Sequence, residues 1–203
     1  MSSNVCQEKL LEIRWHGRGG QGAKTAALLF GEAALDTGLY IQAFPEYGPE
    51  RMGAPVAAFN RLSDQEIRIH TGIKEPDIVV VLDPTLIDVV NILEGLKEDG
   101  ILLINTEESP ETIRKRYNLE NKRIKIYCVN ASKIALETIK RDVPNTPMLG
   151  ALVKITGIFD YQKMLQAIEN KLIQKFRGRE EVVKGNLEAI KRAFEEVKSE
   201  CEN

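Results

Sequence analysis

Cysteine is scarce in these 203 residues, and the three present, Cys6, Cys128 and Cys201, stand far apart and odd in number. No C-x-x-C pair occurs. That argues against a disulfide framework, and against a zinc or iron–sulfur site held by this chain alone. Only His16 and His70 could add imidazole ligands. A dominant charge is missing too: a net charge of -2 and a pI near 5.9 argue against a general nucleic-acid binder. No apolar run approaches the roughly 18 residues of a membrane span, and the N-terminus lacks the basic-then-apolar pattern of a secretion signal. A cytoplasmic protein with no membrane contact is expected. Internal repeats and low-complexity segments are also missing.

What is present is an ordinary globular composition, 43% hydrophobic and 29% charged. A chain of this length can bury on the order of 70% of its unfolded surface and needs no covalent staples. One domain is expected over residues 1–203, with a core over about 10–158 and C-terminal helices over about 159–200.

The run from Leu11 to Thr37 organises the rest. It reads as a strand over residues 11–15, then His16, a glycine loop, and a long helix. The loop, Gly17-Arg18-Gly19-Gly20-Gln21-Gly22, fits G-x-G-x-x-G and lies between an apolar strand and a helix opening, as that motif requires. Glycine tolerates φ > 0 and lets bare N–H groups approach a ligand, and the positive end of the helix points at the same spot. An anion is therefore expected, phosphate first. Two known templates each miss by one feature. A nicotinamide site wants an acidic residue closing the second strand, but that strand closes on Pro45 and Glu46 comes late. A Walker loop wants Gly-Lys-Ser/Thr, and here Ala23 precedes Lys24 and Thr25. A second reading stays open, in which the glycines only permit a tight crossing under the slim helix of Ala23, Ala26, Ala27, Ala33 and Ala34.

Residues 45–55 hold three prolines and two glycines, so neither a helix nor a central strand can continue there. The loop carries Tyr47, Glu50 and Arg51: the arginine suits an anion, and the tyrosine can stack or donate. Further on, Val56–Arg61 and Ile67–Ile69 read as an antiparallel pair. Asp77–Leu82 and Ile101–Ile104 read as buried parallel strands joined by a helix over Thr85–Leu96, with Asp83 as its cap. Asp83 and Asn105 close strands at the end where open sheets place ligands, although capping alone would explain Asp83. A helix from Ser109 to about Tyr117 and a strand over Ile124–Val129 follow, with a basic cluster around them (Arg114, Lys115, Arg116, Lys122, Arg123, Lys125) that reads as a solvated face, a contact for phosphate or an acidic partner being the other reading. The spacing then predicts helices over Ala131–Lys140, over Met148–Thr156 capped by Thr146, and over Tyr161–Phe176 and about Glu181–Lys198, the last two apolar on one face. The fold class expected is a three-layer α/β/α domain with a mostly parallel, mixed sheet, a Rossmann-like first unit and a helical C-terminal part.

Three stretches, residues 15–22, 44–51 and 148–152, together resemble the gamma subunit of 2-oxoacid:ferredoxin oxidoreductases, most closely that of the pyruvate enzyme. The likeness covers about residues 10–175, and it rests on the pairing of Gly19-Gly20-Gln21-Gly22 with Tyr47-Gly48-Pro49-Glu50. One departure is Arg51-Met52-Gly53, since the family arginine more usually comes later and meets a pair of small residues. The resemblance implies a subunit that is not active alone and that assembles with alpha, beta and delta subunits, with ferredoxin as electron acceptor. It places thiamine diphosphate and iron–sulfur clusters on those partners, and it sets this chain against the thiamine site with a part in coenzyme A use. The candidate coenzyme A contacts are Gly17, Arg18, Gly19, Gly20, Gln21, Gly22, Lys24, Tyr47, Glu50 and Arg51. Within this chain no catalytic residue and no metal ligand is expected. A free-standing Rossmann-like dinucleotide-binding enzyme or sensor is the alternative, and a pure scaffold is a third reading.

Overall fold

A computed structural model describes residues 10–35, 38–46, 51–158 and 160–200. Tyr47 and Glu50 lie outside the described residues, as do Cys6 and Cys201. Along the chain run β1 (Leu11–Arg18), α1 (Ala23–Leu35), β2 (Tyr40–Pro45), β3 (Pro55–Ser63), β4 (Ile78–Val81) and a 3-10 turn at Pro84–Asp88. They are followed by β5 (Ile101–Asn105), α2 (Pro110–Arg116), β6 (Lys125–Val129), α3 (Ala131–Thr138) and α4 (Asn145–Thr156). The series closes with α5 (Tyr161–Lys175), α6 (Glu180–Glu196) and β7 (Lys198–Ser199).

The strands form one sheet in the order β2-β3-β1-β4-β5-β6-β7. The unbroken apolar run of β4 occupies its middle, because only a strand covered on both faces can be apolar at every position. From β1 through β4 and β5 to β6 the pairing is parallel; β3 is antiparallel to β1 and to β2, and β7 to β6. Alternation along each strand divides the core. Ile13, Trp15, Val80 and Leu103 face a layer of α1, α3, α4, α5 and α6. Val79, Val81, Leu102 and Ile104 face a thinner layer built on Leu86, Ile92, Ile113 and Leu119.

Trp15 fixes α1 on the sheet. Its ring is fully buried and meets Phe30 edge-on at 6.2 Å. Its Nε1 donates to Asn60 Oδ1 at 2.8 Å, and Asn60 Nδ2 donates to the Ala27 carbonyl at 2.8 Å. One polar link thus runs from β1 through β3 to α1 and docks that helix on the sheet.

The structure corrects several expectations. No helix spans Thr85–Leu96: after the 3-10 turn the chain runs through turns, because the Ile92 and Glu94 carbonyls point at the buried Arg14 guanidinium at 2.8 and 2.6 Å. Ile67–Ile69 is not a strand; Gln42 Nε2 takes its carbonyls at 3.5 and 3.0 Å in place of ladder bonds. Thr146 does not cap α4, which already starts at Asn145, after Pro144. The basic cluster is not simply a solvated face, since Arg114 pairs with Glu200 and donates to the carbonyls of Leu119, Lys122 and Ile124. β7 is an added edge that the polar tail did not advertise.

Candidate functional site

β1 and β4 are neighbours whose onward connections leave in opposite directions across the sheet, toward β2 and toward β5. Ligands of open α/β sheets sit in the crevice at such a reversal, beyond the strand C-termini. The glycine loop closes β1 there, and Asp83 follows β4.

A hydrogen-bonded ring holds the loop. The Arg18 N–H donates to Gln21 Oε1 at 2.7 Å, and the Gln21 N–H returns to the Arg18 carbonyl at 3.0 Å. Arg18 Nε and Gln21 Nε2 both donate to Asp83 Oδ2, at 3.0 and 2.9 Å. The Gly19 N–H goes to the Ala54 carbonyl at 2.9 Å, and the Gly53 N–H to the Gly19 carbonyl at 3.1 Å. The 51–54 segment is therefore laced edge-on to the loop. A Cβ at Gly19 would collide with the Arg51 carbonyl, so this lacing requires glycine there.

Three amides expected to face a ligand, those of Arg18, Gly19 and Gln21, are thus taken internally. Among the described residues, no acceptor meets the N–H groups of Gly20, Gly22, Ala23, Lys24 or Thr25. Gly20 is exposed at φ +100, with Met52 Sδ beside it. Gly22, at φ +84, makes room for Asn145, so the start of α4 reaches the loop as well. Arg51, which ends the second stretch behind the sequence resemblance, and Asn145, just ahead of the third, therefore both meet the loop of the first.

The charges divide into used and free. Arg18 is paired with Asp83, while Lys24 and Arg51 are exposed and form no ion pair with any described residue. Burial alone would raise the Asp83 carboxyl. The hydrogen bonds from Thr85 and Gln21 and the Arg18 charge outweigh that and hold it below the ordinary carboxylate range. Behind the loop, burial, helped by the Arg14 charge, pulls the His16 imidazole down to about 4, so the ring is neutral at pH 7. Asn105 is not a ligand-facing group: its Nδ2 donates to the Leu82 carbonyl at 2.8 Å and to Ser132 Oγ at 3.0 Å. Burial likewise pushes the Cys128 thiol up to about 12, which leaves it unreactive near neutral pH.

Sequence reasoning underrated Asp83, which both caps the 3-10 turn and anchors the loop; its place at a strand end was the available signal. Glu46 offers no ribose contact of the dinucleotide kind. β3 lies between β1 and β2, so β2 ends two strands from the loop, about 10 Å away instead of about 5 Å.

Residues 12–196 match the model of the pyruvate ferredoxin/flavodoxin oxidoreductase family. The chain is 51% identical over 191 residues to pyruvate synthase subunit PorC of Thermotoga maritima, covering 94% of this chain and 96% of that one. It is 47% identical over 188 residues to the common gamma subunit of the pyruvate and ketoisovalerate oxidoreductases of Pyrococcus abyssi, covering 93% and 97%. The crystal structure of the Thermotoga maritima subunit superposes with a TM-score of 0.79 at 50% identity, over 94% of this chain and 98% of that one.

Proposed function

Because the chain belongs to the pyruvate ferredoxin/flavodoxin oxidoreductase family, as a gamma subunit, we propose that it works within a pyruvate synthase complex beside alpha, beta and delta subunits. That complex decarboxylates pyruvate oxidatively, forms acetyl-CoA and passes the electrons to ferredoxin. In this reading thiamine diphosphate and the iron–sulfur clusters belong to the partner subunits. This chain closes over the thiamine site and helps to hold coenzyme A, whose thiol accepts the acyl group.

One observation supports the coenzyme A role above the others. The crevice presents the N–H groups of Gly20, Gly22 and the first turn of α1 without acceptors among the described residues, flanked by the cations Lys24 and Arg51, which form no ion pair with any described residue. That donor set suits phosphate: backbone N–H groups give direction, the helix end adds positive potential, and the two side chains supply mobile charge. The chain's own part is to bind and orient an anion at the rim of a site completed by other subunits. The Pyrococcus abyssi relative is named as common to a pyruvate and a ketoisovalerate enzyme, which fits substrate choice being made elsewhere in the complex.

The double substitution Lys24→Ala/Arg51→Ala tests this in the reassembled complex. Both side chains are exposed, so the fold and assembly should hold. The KM for coenzyme A should rise about tenfold, equivalent to about 1.4 kcal/mol for two exposed charge contacts, while the KM for pyruvate stays put. An unchanged KM for coenzyme A removes the role.

A further inference from the structure

The Asp83 carboxylate is fully engaged. Oδ1 accepts from the Thr85 N–H at 3.0 Å and from Thr85 Oγ1 at 2.6 Å, while Oδ2 accepts from Arg18 Nε at 3.0 Å and Gln21 Nε2 at 2.9 Å. Oδ1 alone serves the turn that follows β4; Oδ2 contributes nothing to that turn and reaches across the crevice to the end of β1. The remaining Arg18 nitrogens continue the link, Nη1 to the Gly53 carbonyl at 3.1 Å and Nη2 to Thr85 Oγ1 at 2.8 Å. The Asp83–Arg18 pair therefore ties three backbone segments at one spot: the glycine loop, the 51–54 segment and the turn after β4.

We propose that Asp83 is a positioning residue that locks the glycine loop and the 51–54 segment into one rigid lip. Arg18 is the rivet of that lock and not an anion ligand. Its charge is matched by Asp83, its side chain is 29% exposed, and its donors point at fixed protein acceptors. Lys24 and Arg51, unpaired among the described residues, are left as the cations to meet a guest. Locking in advance is what a binding lip needs: donors held in place lose little freedom when the anion arrives. The catalytic consequence rests on the assignment of the lip to coenzyme A; the lock itself does not.

Asp83→Asn separates the two functions of the carboxylate. The asparagine oxygen can still receive the Thr85 N–H, while its NH2 group faces the Arg18 and Gln21 donors and cannot accept from them. In the reassembled complex, amide hydrogen exchange of Arg18, Gly19, Gln21, Gly53 and Ala54 should accelerate together by about tenfold or more, with β5 amides unchanged. The KM for coenzyme A should rise about fivefold while the KM for pyruvate and the yield of complex hold, a split that a general loss of folding would not produce. Adding Arg18→Gln to Asp83→Asn should cost little more than either change alone, since both break one lock. Unchanged exchange at Gly53 and Ala54 overturns the proposal, as does full additivity of the two substitutions. Faster exchange with an unmoved KM for coenzyme A upholds the lock and overturns the coenzyme A assignment instead.

Discussion

Two arginines are almost completely buried, Arg14 at 8% and Arg61 at 2% exposure, and Arg114 is largely covered. Each offsets its burial by donating to carbonyls of an irregular segment: Arg14 Nη2 to residues 92 and 94, its buried Nε meeting no acceptor among the described residues, Arg61 to Ile69 beside its ion pair with Glu12, Arg114 to residues 119, 122 and 124. A buried guanidinium must find acceptors, and loop carbonyls without ladder partners need donors; each satisfies the other. Titration at this scale centres on His16. The folded state keeps the ring neutral down to about 4, while the unfolded chain protonates near 6.5. Between those values the unfolded state binds more protons, so stability falls as pH drops through the window, by up to roughly 3 kcal/mol. Thermal melts at neutral pH and near pH 4 should show a smaller acid loss for His16→Asn than for the parent. Equal losses would place the acid sensitivity on other groups.

Elements meet closely where side chains are smallest. α1 sits against the sheet through Ala23, Ala26, Ala27, Ala33 and Ala34, all buried. α4 and α6 approach so tightly at Gly150 that a Cβ there would overlap the Ile190 carbonyl. The glycine of the Met148–Leu152 stretch is therefore a helix-packing residue, while the N-terminal end of the same helix touches the glycine loop through Asn145. Gly150→Ala should destabilise the chain by about 3 kcal/mol, the upper end of typical over-packing, because the obstacle is backbone and cannot swing aside. Urea unfolding measures this, and a loss below about 1 kcal/mol would mean that α6 shifts freely on α4.

At the scale of the whole molecule, the placement of β3 decides which ligand class fits. A dinucleotide site of the Rossmann kind needs β2 beside β1, so that an acidic residue at the end of β2 can reach the ribose. Here an antiparallel strand is inserted between them, and the crevice is bordered instead by Asp83 and the 51–54 segment. Calorimetry of the isolated chain with NAD(P) or a flavin should show no binding. A measurable saturable heat would restore the dinucleotide reading. The sheet is also unequally covered: five helices back one face, and a 3-10 turn, the seven-residue α2 and turns back the other. No helix among the described residues is long and apolar enough to cross a membrane.

Local patterns in the chain determined most of the elements. The unbroken β4 run, the Ser109-Pro110 start of α2 and the one-sided faces of α5 and α6 each carry their own periodicity or cap, and each formed close to where it was read. The glycine loop was legible for the same reason, since strand, loop and helix opening adjoin in sequence. Contacts distant in sequence could not be read that way. Arg14 reaches 78 residues ahead to straighten out an expected helix, and Arg18 reaches 65 residues ahead to find Asp83. Only the folded chain shows which loop amides are already used and which face outward. Hydrogen-bond partners are assigned by proximity in space, and a lone arginine in a sequence does not state which carbonyls will surround it.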